Sequence, residues 1–209
     1  MDTEHFINNL SSQIEAIKPK CPIRASLKLT GATFLYIALL LAFFGLRPDI
    51  INKLHSTLFV AEVALLAVIL FATCLAASLS AFPDIYGKSN WLFAPLIAFG
   101  LFAVILFWEL LADNPPAPSP VHDYECLICI TLFSLLPSLA MLFYINGLAT
   151  TNRGLSGCLA VLTGFASGAL ALRLSEQTDA ISHIIYWHYL PLFVFALIGY
   201  FLGDKFLNK

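Results

Sequence analysis

The sequence predicts an all-α fold, a polytopic membrane protein with six transmembrane helices in one bundle, and three observations predict it. Of 209 residues, 59% are hydrophobic and 11% charged, with a mean hydropathy of +0.84. Soluble domains carry about 25% charged residues, so this chain has too few to cover a water-facing surface. Six apolar runs then recur along the chain, each close to the ~20 residues that cross a bilayer core. Basic residues, finally, gather on alternate connections between those runs.

The first element is polar. In "MDTEHFINNLSSQIEAIKPK", Ile7, Leu10, Ile14 and Ile17 recur at intervals of three and four, with Phe6 beside them. Asn8, Asn9, Ser11, Ser12 and Glu15 take the opposite face. Asp2 or Thr3 can cap this stretch and Pro19 stops it, so an amphipathic helix of about four turns is expected. Its polar face is rich in amides and holds no lysine or arginine before Lys18. Helices that lie on membranes usually carry basic polar faces, so a protein partner is the better outlet for the apolar stripe. Residues 1–28 therefore form one unit, 29–203 the membrane unit and 204–209 a tail.

The spans are expected at Leu29–Leu46, Leu58–Phe82, Trp91–Leu111, Cys126–Ile145, Leu155–Leu172 and Ile184–Leu202. No small-residue cleavage site follows the first run, so it is expected to act as an uncleaved anchor. Lys18, Lys20, Arg24, Lys28, Lys88, Arg153, Lys205 and Lys209 fall on one side; Arg47, Lys53 and Arg173 fall on the other. That eight-to-three bias predicts both termini in the cytoplasm. "NPPAPSP" (Asn114–Pro120) reads as an extended linker on the outer side. Ser156, Ala160, Gly164 and Gly168, four apart in the fifth span, form a small-residue stripe suited to close helix packing.

Ionisable groups inside spans are costly, so each should pair or line a wet cavity. Glu62, Glu109 and His188 are such groups, with Arg47 and Arg173 closing spans one and five. All lie toward the outer side, either as pairs that orient helices or as a polar pocket that senses. In "HDYECLIC", His122, Cys126 and Cys129 are spaced i, i+4, i+7, which puts them on one helix face. Three readings stay open for them: a zinc-type site completed by His183, Glu125 or water; a redox pair; or small apolar thiols. C-x-x-C alone is a weak metal signal. Cys21, Cys74 and Cys158 are placed where they cannot relay electrons on the outer side. No nucleotide loop, Ser/His/Asp set or zinc-protease helix is present, so neither enzyme activity, cofactor nor direct nucleic-acid binding is expected. A metal or proton transporter would need polar residues continuing inward. Spans two, three and six instead become apolar toward their cytoplasmic halves.

An amphipathic segment before six spans, "GLRPD" (Gly45–Asp49), a "C…LLP" pattern (Cys126 to Pro137) and "YWH" (Tyr186–His188) together resemble the NrsF-type membrane anti-sigma factors of Gram-negative bacteria. The resemblance covers nearly the whole chain. It implies a protein that holds an extracytoplasmic-function sigma factor through its cytoplasmic N-terminal part and releases it on an outer-side stimulus. In that family the stimulus is tied to a pair of outer-side cysteines and to metal or oxidative stress. Cys126 matches the first cysteine. The second is expected near Ser175–Glu176, where "RLSEQTDA" (Arg173–Ala180) has no thiol. A disulfide between those loops is therefore excluded here. Sensing would fall to Cys126, paired with Cys129, binding metal with His122 or a neighbouring carboxylate, or acting alone, or else to Glu62, Glu109 and His188.

Overall fold

The computed structural model describes residues 4, 21–82, 90–112, 124–148 and 150–207. Phe6, Ile7, Leu10, Ile14 and Ile17 lie outside the described residues, as does His122. Six helices are long and apolar enough to cross a membrane: α1 Pro22–Phe44, α2 Thr57–Ser80, α3 Asn90–Leu111, α4 Tyr124–Asn146, α5 Arg153–Ser175 and α6 Ile181–Phe206. No strand occurs among the described residues.

Helix α1 begins at Pro22, about two turns before the expected start at Leu29. Proline at the first helical position needs no N–H partner and has the right φ already. Apolar content marks only the part of a helix that fits hydrocarbon, so it misses the polar first turns around Arg24 and Lys28. At the other end Gly45 takes φ +92°, a conformation that favours glycine, and its N–H closes the helix on Leu41 O. A single turn, Ile50–Lys53, then leads into α2.

Helix α5 is the axis of the bundle. It packs against α1, α2, α4 and α6, and buries nearly every residue from Gly154 to Arg173. Such a helix must be thin, and small residues line its contacts. A Cβ on Gly164 would collide with Ser138 and the Ser134 carbonyl of α4; one on Gly168 would collide with Ser134 and the Ile130 carbonyl. The stripe expected from sequence thus packs within the bundle, and Ser156 meets Ser80 of α2 at 2.7 Å. A second close approach is made by the glycine pair four apart in α6: Gly157 of α5 lies against Gly199 and Gly203, backbone on backbone.

Large apolar side chains on α1, α3, α4 and α6 face outward, among them Phe43 (84% exposed), Leu96 (72%) and Phe193 (70%). An apolar belt of this extent is what a lipid-facing surface requires and what water would not tolerate. Polar groups, by contrast, are inside. Deep hydroxyls direct their protons to their own helices: Thr73 to Ile69 O, Ser134 to Ile130 O and Thr163 to Leu159 O. Back-bonding of this kind satisfies each group without building a polar path through the core.

Helix α6 is not uniform. Residues Ile184–Tyr189, "IIYWHY", form a π-helical turn between Ile181–His183 and the α-helical Leu192–Phe206. Leu190 N–H bonds to Ile185 O, five residues back, at 2.8 Å. Pro191 follows, with no N–H to return to the preceding turn, so the regular ladder must break there. Turns of this type concentrate at functional sites.

Candidate functional site: a polar cluster at one end of the bundle

Charged side chains buried at the Arg47 end fall into two adjoining groups. The first is built on Asp179 in the α5–α6 connection. Arg47 is buried and donates to both carboxylate oxygens of Asp49, at 2.7 and 2.9 Å, and to both of Asp179, at 3.1 and 2.9 Å. Asp179 is also reached by Lys53 at 2.7 Å and by Arg173 at 3.1 Å. Both guanidinium groups lie over Phe59, 5.3 and 4.9 Å from its ring centre. Three cations around one carboxylate fix its state. Burial pushes the Asp179 carboxyl up, but Arg47, Lys53 and Arg173 hold it far below its ordinary value. The hydrogen bond from Arg47 likewise lowers Asp49, and Asp49 raises Arg47 in return. The "GLRPD" turn is thus a device for delivering Arg47 to the α5–α6 connection. Arg47 N–H also bonds Leu174 O at 3.0 Å.

Glu62, fully buried on α2, accepts from Arg173 of α5 at 2.9 Å and from the Tyr189 hydroxyl of α6 at 2.6 Å. One carboxylate therefore joins three helices, with both oxygens satisfied. Tyr189 packs edge-on against Phe102 of α3. Glu109 does not join these bonds. It lines a pocket of about 260 Å³ with Lys53, Arg173 and Asp179.

The second group centres on Glu176, the residue that caps α5. Its Oε1 lies 3.3 Å from Cys126 Sγ and 3.1 Å from His183 Nε2; its Oε2 lies 2.9 Å from His188 Nε2. Cys126 Sγ and His183 Nε2 are 3.5 Å apart, and the two imidazole rings meet edge to face. His183 and His188 are almost wholly buried. Burial pushes the Glu176 carboxyl up, and the neighbouring His188, Cys126 and His183 outweigh it and hold it well below the usual range.

Of the sequence candidates, the structure brings Cys126 and His188 together, and adds Glu176 and His183. Cys129, one turn along α4, packs like Cys126 against the apolar core and is not among the four clustered donors. His183 had been in view only as a spare ligand. Its meeting with His188 was hidden by spacing: residues five apart point about 140° away from each other on an α-helix. The π-helical turn brings both imidazoles to one carboxylate. Glu176 looked like a loop residue, yet it stands where the family resemblance puts a second cysteine, and its carboxylate touches Cys126. That is the sequence signal that was available.

No curated protein and no solved structure matches the chain. The NrsF family model, described as negative regulator of sigma F, matches residues 10–208. A match running from the amphipathic segment through all six helices places this chain in the NrsF family, the negative regulators of sigma F.

Proposed function

We propose that this protein is an inner-membrane anti-sigma factor that binds an extracytoplasmic-function sigma factor through residues 1–28 and responds to a signal at the opposite end of the bundle. The observation that carries this reading is the extent of the family match, which begins inside the amphipathic segment and ends at residue 208. A stripe of Phe6, Ile7, Leu10, Ile14 and Ile17 suits a groove on a soluble partner. The outward apolar belt supports embedding in lipid, and the basic-residue bias supports cytoplasmic termini. The exceptions to that bias, Arg47, Lys53 and Arg173, all sit against Asp179. Their role in the bundle accounts for their place on the outer side.

A signal read by Cys126, Glu176, His183 and His188 would act on the start of α4, the end of α5 and the start of α6 together. Release then requires two bundle arrangements with different affinity for the sigma factor. The test is an affinity pull-down from native membranes, comparing the full chain with one lacking Met1–Lys18. A sigma factor that co-purifies only with the full chain supports the reading. Equal recovery with both forms would place the binding surface elsewhere, and recovery with neither would remove the anti-sigma reading.

A further inference from the structure

We propose that Cys126, Glu176, His183 and His188 form a binding site for one zinc-class divalent cation. The donor atoms of all four residues lie within 4.8 Å of one another. Bonds of 2.0–2.3 Å to a tetrahedral ion place neighbouring donors about 3.3–3.8 Å apart. The contacts here, at 2.9, 3.1, 3.3 and 3.5 Å, are already near those edges, so small side-chain adjustments suffice.

A second observation points to a ligand independently. His188 is 1% exposed; its Nδ1 has no hydrogen bond among the described residues, and its Nε2 meets only Glu176 Oε2, at 2.9 Å. Buried polar atoms in native proteins almost always have partners, and an ion is one of the few that a ring nitrogen and a carboxylate oxygen can share.

The chemistry of the donor set selects the ion. A thiolate with two imidazoles suits zinc and its softer neighbours, whereas magnesium and calcium require oxygen donors. Thiolate and carboxylate together carry two negative charges, so a divalent ion leaves the site neutral. Neutrality matters where the surroundings are largely apolar and net charge is costly. The four donors come from the start of α4, the cap of α5 and both sides of the π-helical turn of α6. The ion would cross-link three helices at one point. This inference stands on the geometry alone and does not rest on the anti-sigma reading.

The test uses the purified full-length protein in detergent, stripped with chelator and titrated with cadmium, which gives an ultraviolet thiolate-to-metal absorption. One equivalent should produce the band, and Cys126→Ser should abolish it while Cys129→Ser leaves it intact. Glu176→Gln and His188→Gln, which keep side-chain volume near constant, should each weaken binding at least ~10-fold, the smallest loss expected when even an outer-shell partner is removed. X-ray absorption on the zinc-loaded protein should show one sulfur at about 2.3 Å and three lighter donors. Two sulfurs, a band lost in Cys129→Ser, or affinity unmoved by Glu176→Gln and His188→Gln would overturn the proposal. So would the absence of saturable binding.

Discussion

Arg47 and Asp179 lie 132 positions apart in the chain and meet through two hydrogen bonds of 2.9 and 3.1 Å. This pair ties the turn after α1 to the connection between α5 and α6, so the two loops behave as one rigid rim. Its strength depends on Asp179 remaining ionised. In the folded protein that carboxyl is held below its ordinary value of 3.8. A lowered folded value means that the stabilisation is complete above the unfolded value and is lost as pH falls through the folded one. Thermal stability in detergent should therefore decline as pH drops from about 5 toward 2. Asp179→Asn should be less stable at pH 7 and should flatten part of that slope. A slope unchanged in the variant would show that other carboxylates produce it.

Glu62 should be the most sensitive single position in the charged end. Glu62→Ala removes the buried partner of Arg173, leaving it only the half-exposed Asp179, and strips Tyr189 of its acceptor, a loss of about 3 kcal/mol read as a lowered unfolding temperature. Tyr189→Phe removes only a hydrogen bond to the same carboxylate, worth about 2 kcal/mol. If the two variants lose equal stability, Asp179 alone suffices to neutralise Arg173.

Contact between α5 and α6 gives a steric prediction. Gly203→Val should separate the helices at Gly157 and sharply lower the unfolding temperature, because the obstructing atoms are backbone. Gly100→Ala on α3 meets nothing within 4 Å and should be neutral or stabilising by up to about 1 kcal/mol through helix propensity. Equal effects of the two changes would contradict the close packing.

For the proposed output, Leu10→Asp and Ile14→Asp should each reduce sigma-factor recovery tenfold or more, equivalent to about 1.4 kcal/mol. Membrane levels and unfolding temperature of the bundle should not change. A parallel fall in bundle stability would instead mean that the stripe packs beneath the helices.

Orientation can be read with a membrane-impermeant thiol reagent. Ser56, exposed at the Arg47 end, should be labelled in intact cells when changed to cysteine in a background lacking other thiols. Cys21, exposed at the opposite end, should be labelled only after lysis. The reverse pattern would invert the topology.

The six spans were legible because hydrocarbon length and apolar content leave few alternatives. The residues of the charged end were legible as types: Glu62, Arg47, Arg173 and His188 stood out as expensive groups that need partners. The partners themselves were not, since one helix's sequence carries no record of which neighbour faces it. Glu62 finding both Arg173 and Tyr189 is a property of three helices at once. A spacing of three puts Cys126 and Cys129 near one face, and both pack against the apolar core, but only Cys126 lies beside Glu176 and His183. The meeting of His183 with His188 required a helical period that no α-helical reading contains. Gly199 and Gly203 stand four apart in the sixth span, a close-packing pattern, but nothing in that pair names Gly157 of the fifth span as the residue it meets.

Burial of α5 on all sides has a genetic consequence. A random screen for alleles that abolish repression should return mostly lesions in this one helix, because nearly any enlargement there disturbs several neighbours together. Such alleles would report on assembly of the fold and be recessive losses. Alleles that lock the protein into one response should instead cluster in three short stretches, at Cys126, at Arg173–Asp179 and at His183–Tyr189. The distribution of hits along the chain would itself distinguish the scaffold from the switch.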